Sequence, residues 1–403
     1  MNQREIFLTH VAQTSPAPLA LEISRAEGVR LYTATGVEYI DLIGGISVAN
    51  MGHGHPAVLA AISEQASAYL HIMVYGEFVE APQVRYAQLL TQYLPESLNS
   101  VYFTNSGAEA VEGAMKLAKR VSNRTQVVAF NNSYHGSTQG ALSIIGDEYW
   151  RNAYRPLLPD ILHLEYNSFA SLNDITDRTA CVIAETVQAE AGVRPPSIEW
   201  MQALRQRCTA TGTLLVLDEI QTGFGRTGTL WGFERYGIIP DVLLLGKALG
   251  GGLPLGAFIA DRQLMFTLAE NPVLGHITTF GGHPLSCAAG HASMKAMLDE
   301  KVIDTINAKA LLIDQLLEHP LILEKTQAGL WMSLRFDSFA SNKWIIDRCI
   351  KKGVLTDWFL FASDSLRISP PLVISEEDLR NVCKIILAVL DERVAAVYSR
   401  CAG

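Results

Sequence analysis

Two short apolar runs constrain this chain more than any other feature. Leu214-Leu215-Val216-Leu217 ends in Asp218-Glu219-Ile220-Gln221, and Val242-Leu243-Leu244-Leu245 ends in Gly246-Lys247, with three glycines soon after. Runs of Leu and Val without polar alternation, bounded by glycine and charge, predict strands buried on both faces of a parallel sheet. Ligands of open α/β sheets sit beyond the carboxyl ends of such strands. Asp218 and Lys247 are therefore placed to face one site. A lysine emerging among apolar neighbours has a lowered pKa and can attack a carbonyl carbon. Taken alone, a single lysine after a strand reads as a solvated loop charge; the rest of the chain changes that reading.

The alternation of strand and helix extends from about residue 100 to 260, the pattern of a doubly wound α/β unit. Val101 to Thr104 reads as a strand, followed by a tight turn and a helix carrying Ala110, Val111, Ala114, Met115, Leu117, Ala118 and Val121 at helical spacing. The Ser106 hydroxyl and the N–H groups of Gly107 and Ala108 open that helix and offer an anion cup, though the same turn also serves as a plain cap. A strand at Val127 to Phe130 leads into Ser133-Tyr134-His135-Gly136-Ser137-Thr138. Tyr134 could stack on a flat ligand or be a half-buried aromatic, and His135 by itself reads as structural. Residues 147–160 read as an irregular loop. Ala180 to Ala184 is a further strand ending in Glu185-Thr186-Val187-Gln188-Ala189-Glu190, and Ile198 to Thr211 a helix.

Before this unit come a hairpin around Thr35-Gly36, a glycine-rich stretch at 44–54 and helices near 57–69 and 82–93. After it, a strand at 254–260 and a helix from Pro284 to about Leu298 close the pattern. From about 300 an α+β module follows: helix 301–318, strand 330–336, helix 342–352, an extended segment 366–374 and a helix from Ser375. The expected organisation is a large domain at 46–298 and a smaller α+β domain built from both termini, 1–45 and 299–403.

The chain has 403 residues, 49% hydrophobic and 18% charged, with net charge −9. It can bury a core of ordinary size, and its acidity argues against nucleic acid or an anionic membrane as partner. Six cysteines without a Cys-x-x-Cys pair read as free thiols of a reducing cytosol. The first residues lack a long apolar stretch, and Lys247 and Pro254 interrupt the most apolar window, 242–260. A cytoplasmic protein is expected. Gly246-Lys247 is no phosphate loop, because Asp241 and Ala248 stand where glycine and Ser or Thr are needed. Gly52-His53-Gly54-His55 lacks acid or cysteine at ligand spacing, so no metal site is expected.

Together these stretches resemble the class III aminotransferases, fold-type I enzymes of pyridoxal 5′-phosphate, with the acetylornithine/ornithine group the nearest likeness. The matching segments run from about Asp41 to Leu379, in family order: Ser106-Gly107-Ala108-Glu109-Ala110, Tyr134-His135-Gly136, Asp218 to Gly228, Lys247 with its glycines, Thr278-Thr279-Phe280-Gly281-Gly282 and Leu366-Arg367-Ile368-Ser369-Pro370-Pro371-Leu372. The resemblance implies that Lys247 is the Schiff-base lysine and that Asp218 pairs with the pyridine nitrogen. It also implies that Gln221 bonds the ring hydroxyl, Tyr134 stacks on the ring beside His135, and Ser106, Gly107 and Ala108 hold the phosphate. Thr279 is similar to a phosphate ligand contributed by a partner subunit, which implies a homodimer with shared sites. Arg367 resembles the arginine that binds a substrate carboxylate, and Glu190 the glutamate that masks it; Tyr75 lies where the family has a pocket tyrosine. The implied reaction moves an amino group, expected to be terminal, from an amino donor to a 2-oxo acid such as 2-oxoglutarate.

Ser137 departs from the ornithine-type pattern, which has a carboxylate-binding arginine there. A hydroxyl cannot make a bidentate ion pair, and Tyr-His-Gly-Ser is closer to the ω-amino acid and amine:pyruvate branch. Thr186 and Ala189 replace the usual proline and glycine. Rivals are an aminomutase or racemase of the same fold and, from another class, a catalytically silent binding protein.

Overall fold

The computed structural model describes residues 2–401, with side chains described up to residue 396. Its strands, in chain order, are β1 (Ile23–Glu27), β2 (Arg30–Thr33), β3 (Glu38–Asp41), β4 (Ser100–Thr104), β5 (Gln126–Phe130), β6 (Ile161–Leu164), β7 (Thr179–Glu185), β8 (Leu214–Asp218), β9 (Val242–Leu245), β10 (Gly256–Ala260), β11 (Glu324–Gln327), β12 (Met332–Arg335), β13 (Val354–Leu355), β14 (Trp358–Phe359) and β15 (Ala362–Ile368). Seven of them form the central sheet, in the order β4-β10-β9-β8-β7-β5-β6. From β9 to β6 all neighbours are parallel, while β10 runs antiparallel to β4 and β9. Every residue of β7, β9 and β10 is buried. The apolar runs thus have helices or loops on both faces, as their lack of alternation requires.

The helix Gly107–Ser122 shows how tightly one face is packed. Ala110, Val111, Ala114, Met115, Leu117 and Ala118 form its buried stripe. A Cβ at Gly113 would come within 2.3 Å of the Phe258 ring on β10. Only glycine lets helix and sheet approach so closely. Ser106 caps the helix, accepting from the Glu109 N–H at 3.2 Å, a bond whose loss costs about 1 kcal/mol.

The smaller sheets have the orders β1-β2-β3-β13 and β11-β12-β15-β14. The parallel pairing of β13 with β3 joins the N-terminal hairpin to the C-terminal module. The segment 147–160, read as irregular, contains a short helix Glu148–Arg151 and a 3₁₀ turn. The edge strands β6 and β11 were not anticipated, because each is four residues long and only partly buried, so neither shows a two-residue alternation. The helix expected at 301–318 is a 3₁₀ turn followed by a helix at Ile306–Leu316, with Lys301 at φ +51° before them. Among the described residues no helix is long and apolar enough to cross a membrane.

Candidate active site

Three neighbouring parallel strands deliver polar groups to one place. In the register of β7 and β8, Glu185 and Asp218 are paired residues, so two carboxylates stand side by side at the strand ends. Lys247 follows β9, the next strand along. The turn after β5 brings Tyr134 to Ser137 across from them. Between these groups lies a cavity of about 240 Å³, lined by Gly107, Ala108, Tyr134, His135, Gly136, Ser137, Glu185, Asp218, Gln221 and Lys247 among others.

Lys247 sits at φ +49°, a left-handed conformation rare for a side chain of its size. Such strain costs about 1–3 kcal/mol and gathers at functional sites. Its Nζ donates to Gln221 Oε1 at 2.7 Å. Burial lowers its pKa to about 8, against the attraction of Glu190, Asp218 and Glu185, with Arg367 adding to the fall. The neutral amine, the form that attacks a carbonyl, is thus accessible near neutral pH. The rate at which the apoprotein takes up an aldehyde cofactor should therefore rise with pH and level off above about 8. Stopped-flow absorbance would check this; a rate still climbing steadily towards pH 10 would show an ordinary lysine.

Asp218 is held at both oxygens. Oδ1 accepts from the Ile220 N–H at 3.0 Å, and Oδ2 lies 2.7 Å from His135 Nδ1. His135 is buried; burial alone would lower its pKa, but the Asp218 hydrogen bond and charge, with Glu185, hold it above its ordinary value. Burial pushes Glu185 up to about 7, against His135 and with Asp218 adding to the rise. Glu185 also fixes the turn, accepting from the N–H groups of Tyr134 at 3.1 Å and Ala189 at 2.8 Å. Its role was not anticipated: the sequence shows only a glutamate ending a strand, and the pairing with Asp218 appears once the strand order is known.

Of the three residues expected to form an anion cup, two reach the cavity. Gly107 and Ala108 line the cavity at the first positions of their helix, where N–H groups have no intrahelical acceptor. Gly136, at φ +126°, permits the approach of the Tyr134 turn, since a Cβ there would meet Ala108 Cβ at 2.6 Å. The Ser106 oxygen is engaged in capping, and Ser106 does not line the cavity. Thr279 is exposed and lies outside the cavity of its own chain, beside Thr278, which accepts from Asn105 Nδ2 at 2.9 Å. Tyr75 requires a correction. It lines separate grooves with Val101 and Tyr102 beside edge strand β4 and does not reach the Lys247 cavity of its own chain.

Arg367, on β15, is buried against Glu190. Its Nη1 and Nη2 donate to the two Glu190 oxygens at 3.2 and 3.0 Å. Burial opposes the charge of Glu190, yet Arg367 and the Leu360 N–H hold its pKa below the usual value. Ser137 makes no such pair; its hydroxyl lies 3.1 Å from the Tyr134 hydroxyl.

Residues 11–390 match the family model for aminotransferase class-III. The chain belongs to the class III aminotransferases. The acetylornithine aminotransferase of Methanopyrus kandleri is 38% identical over 387 residues, covering 94% of this chain and 97% of that one. That of Streptomyces coelicolor is 37% identical over 383 residues, covering 94% and 93%. The solved ornithine aminotransferase of Toxoplasma gondii superposes with a TM-score of 0.90 at 29% identity, covering 96% of this chain and 94% of that one. The fold is therefore fold-type I, and this class III aminotransferase is a pyridoxal-phosphate-dependent transaminase.

The cavity suits that cofactor on its own terms. Gln221 Nε2 and His135 Nε2 are buried polar atoms without partners. Such orphans cost about 1–3 kcal/mol each unless a ligand satisfies them. A donor at Gln221, a carboxylate at Asp218, an aromatic ring at Tyr134, a helix N-terminus and a buried amine together match a hydroxylated, cationic, phosphorylated aldehyde.

Proposed function

We propose that this aminotransferase takes a terminal amino group from an ornithine- or acetylornithine-like donor and passes it to a 2-oxo acid such as 2-oxoglutarate. The buried two-point pair of Arg367 with Glu190 carries this reading. Closed, the pair presents no free charge and suits the carboxylate-free end of a donor. Opened, it presents a planar fork to the carboxylate of an acceptor. The similar proteins are named acetylornithine and ornithine aminotransferases, which supports the same substrate class.

When bound, pyridoxal phosphate supplies an aldehyde that condenses with primary amines and a cationic ring that draws electrons from the substrate carbon. Lys247 Nζ, oriented by Gln221, is the base that takes the proton from the carbon bearing the amino group. Asp218, oriented by His135, would hold the ring nitrogen protonated. Gln221 Nε2, which has no partner of its own, would hold the ring hydroxyl, Tyr134 would cover a ring face, and the Gly107 and Ala108 N–H groups would take the phosphate. Glu185, beside Asp218, keeps the Tyr134 turn in place.

A half-reaction screen tests the reading. Holoenzyme mixed with N-acetylornithine, ornithine, 4-aminobutyrate, β-alanine or simple amines, without oxo acid, should lose its visible cofactor band with an ornithine-type donor. Adding 2-oxoglutarate should restore it, and Arg367→Ala should raise the KM for that acid at least about tenfold. Bleaching by simple amines alone, reversed by pyruvate and not by 2-oxoglutarate, would instead support an amine:pyruvate reaction, the reading that Ser137 favours.

The exposed apolar side chains Leu70, Phe78, Val79, Val273, Leu274, Ile277 and Phe280 support a homodimer. Thr279 lies among them and is exposed, which supports its hydroxyl reaching the cup of a partner subunit. Size-exclusion chromatography should give twice the chain mass. A monomer with full activity would refute shared sites. The pairing of β3 with β13 supports residues 1–45 and 299–403 acting as one unit beside 46–298.

A further inference from the structure

The exchange proposed above needs one acid at Arg367, and the site has two. Asp357 Oδ1 lies 2.9 Å from Arg367 Nε. The contact is one of charge, since neither atom completes an aligned hydrogen bond. The guanidinium is positioned by other groups: Nη2 donates to the Trp358 carbonyl at 3.2 Å, and the Phe359 ring lies 4.4 Å from its carbon. Asp357 is also fixed by its backbone. Its carbonyl accepts from the Arg367 N–H at 2.9 Å, and the adjoining Thr356 hydroxyl donates to the Arg367 carbonyl at 2.5 Å. Asp357 therefore stays beside Arg367 whether or not Glu190 does.

We propose that Asp357 determines carboxylate affinity at this site, acting through its charge as a brake on the binding of carboxylates to Arg367. The inference rests on the Arg367–Glu190 exchange. In the donor complex two carboxylates, Glu190 and Asp357, surround one guanidinium. In the acceptor complex Glu190 is displaced but remains tethered to the same wall, and the substrate adds a third. Ser137 supplies no second cation to offset it. The repulsion therefore falls on the acceptor complex and spares the donor complex. Burial pushes Asp357 up to about 6, against the pull of Arg367 and with Glu190 adding to the rise, so it is charged at pH 8. Its side chain is 28% exposed, which screens part of the effect. The consequence is an enzyme that binds its oxo acid loosely and releases the product carboxylate readily.

The test uses holoenzyme at pH 8 with glutarate and propionate, unreactive carboxylates that mimic dicarboxylate and monocarboxylate acceptors. Asp357→Asn should bind the better-fitting acid about three- to tenfold more tightly, with a smaller change in the KM of the amino donor. Asp357→Glu, which keeps the charge, should bind it as wild type does. Should the asparagine variant not fold, Asp357→Ser is measured instead. Unchanged or weaker binding in a folded variant overturns the proposal, as does equal tightening by Asp357→Glu. Arg367→Ala separates the two readings. If it leaves the affinity for both acids unchanged, the exchange itself is wrong. If it weakens them while Asp357→Asn has no effect, only the role of Asp357 is wrong.

Discussion

Replacing Lys247 with alanine should reduce turnover by roughly 10⁴-fold or more, the combined loss of a nucleophile and a positioned base. No other described amine lines the cavity to take over. The protein should still fold, because the change removes a desolvated amine and its hydrogen bond to Gln221 while alanine keeps the same backbone at φ +49°. Borohydride treatment followed by peptide mass spectrometry should find the cofactor attached at Lys247 in the wild type and absent in the variant. Exogenous methylamine should restore a fraction of the rate if the missing group acts as a base. Turnover within tenfold of wild type would remove Lys247 from the mechanism.

Asp218→Asn should have the next largest effect, a loss on the order of 10²–10³-fold in kcat, the range seen when one preorganised electrostatic group is removed from a reacting centre. The substitution keeps shape and hydrogen bonding to the Ile220 N–H, so stability should change little. It removes the charge proposed to hold the ring nitrogen protonated, which also raises Glu185, its neighbour in register. The distinguishing measurement is the ratio of losses. Both half-reactions should slow together, because both need the same electron-withdrawing ring. If only the donor half slowed, Asp218 would be acting on the donor and not on the cofactor.

Much of the large domain was legible in the residues because its strands are buried on both faces, which leaves unbroken apolar runs at β8 and β9 and polar groups only at their ends. The turns at Gly107 and Gly136 were legible for a related reason, since close approach demands glycine at fixed positions. Edge strands β6 and β11 carry no such mark. Glu185 escaped notice because neighbouring parallel strands are far apart in sequence, and their register cannot be read from either alone. Asp357 escaped for the same reason: its relation to Arg367 depends on how β14 folds back on β15. Tyr75 was carried over by position in a family pattern, without a local physical signal, and in its own chain it lines other grooves than the Lys247 cavity.

Arg367 belongs to β15, while Glu190 follows β7 of the central sheet. Their pair is therefore a tie between two sheets as well as the proposed substrate filter. Arg226 makes a second tie, donating to the Leu330 and Pro370 carbonyls at 2.9 and 2.8 Å and to Asn50 Oδ1 at 2.7 Å. In the exchange proposed for this site, a carboxylate that displaces Glu190 would open the first tie and leave the second. On that reading the cohesion of the molecule would alternate with its catalytic cycle, looser in the half that accepts an oxo acid and tighter in the half that accepts an amine.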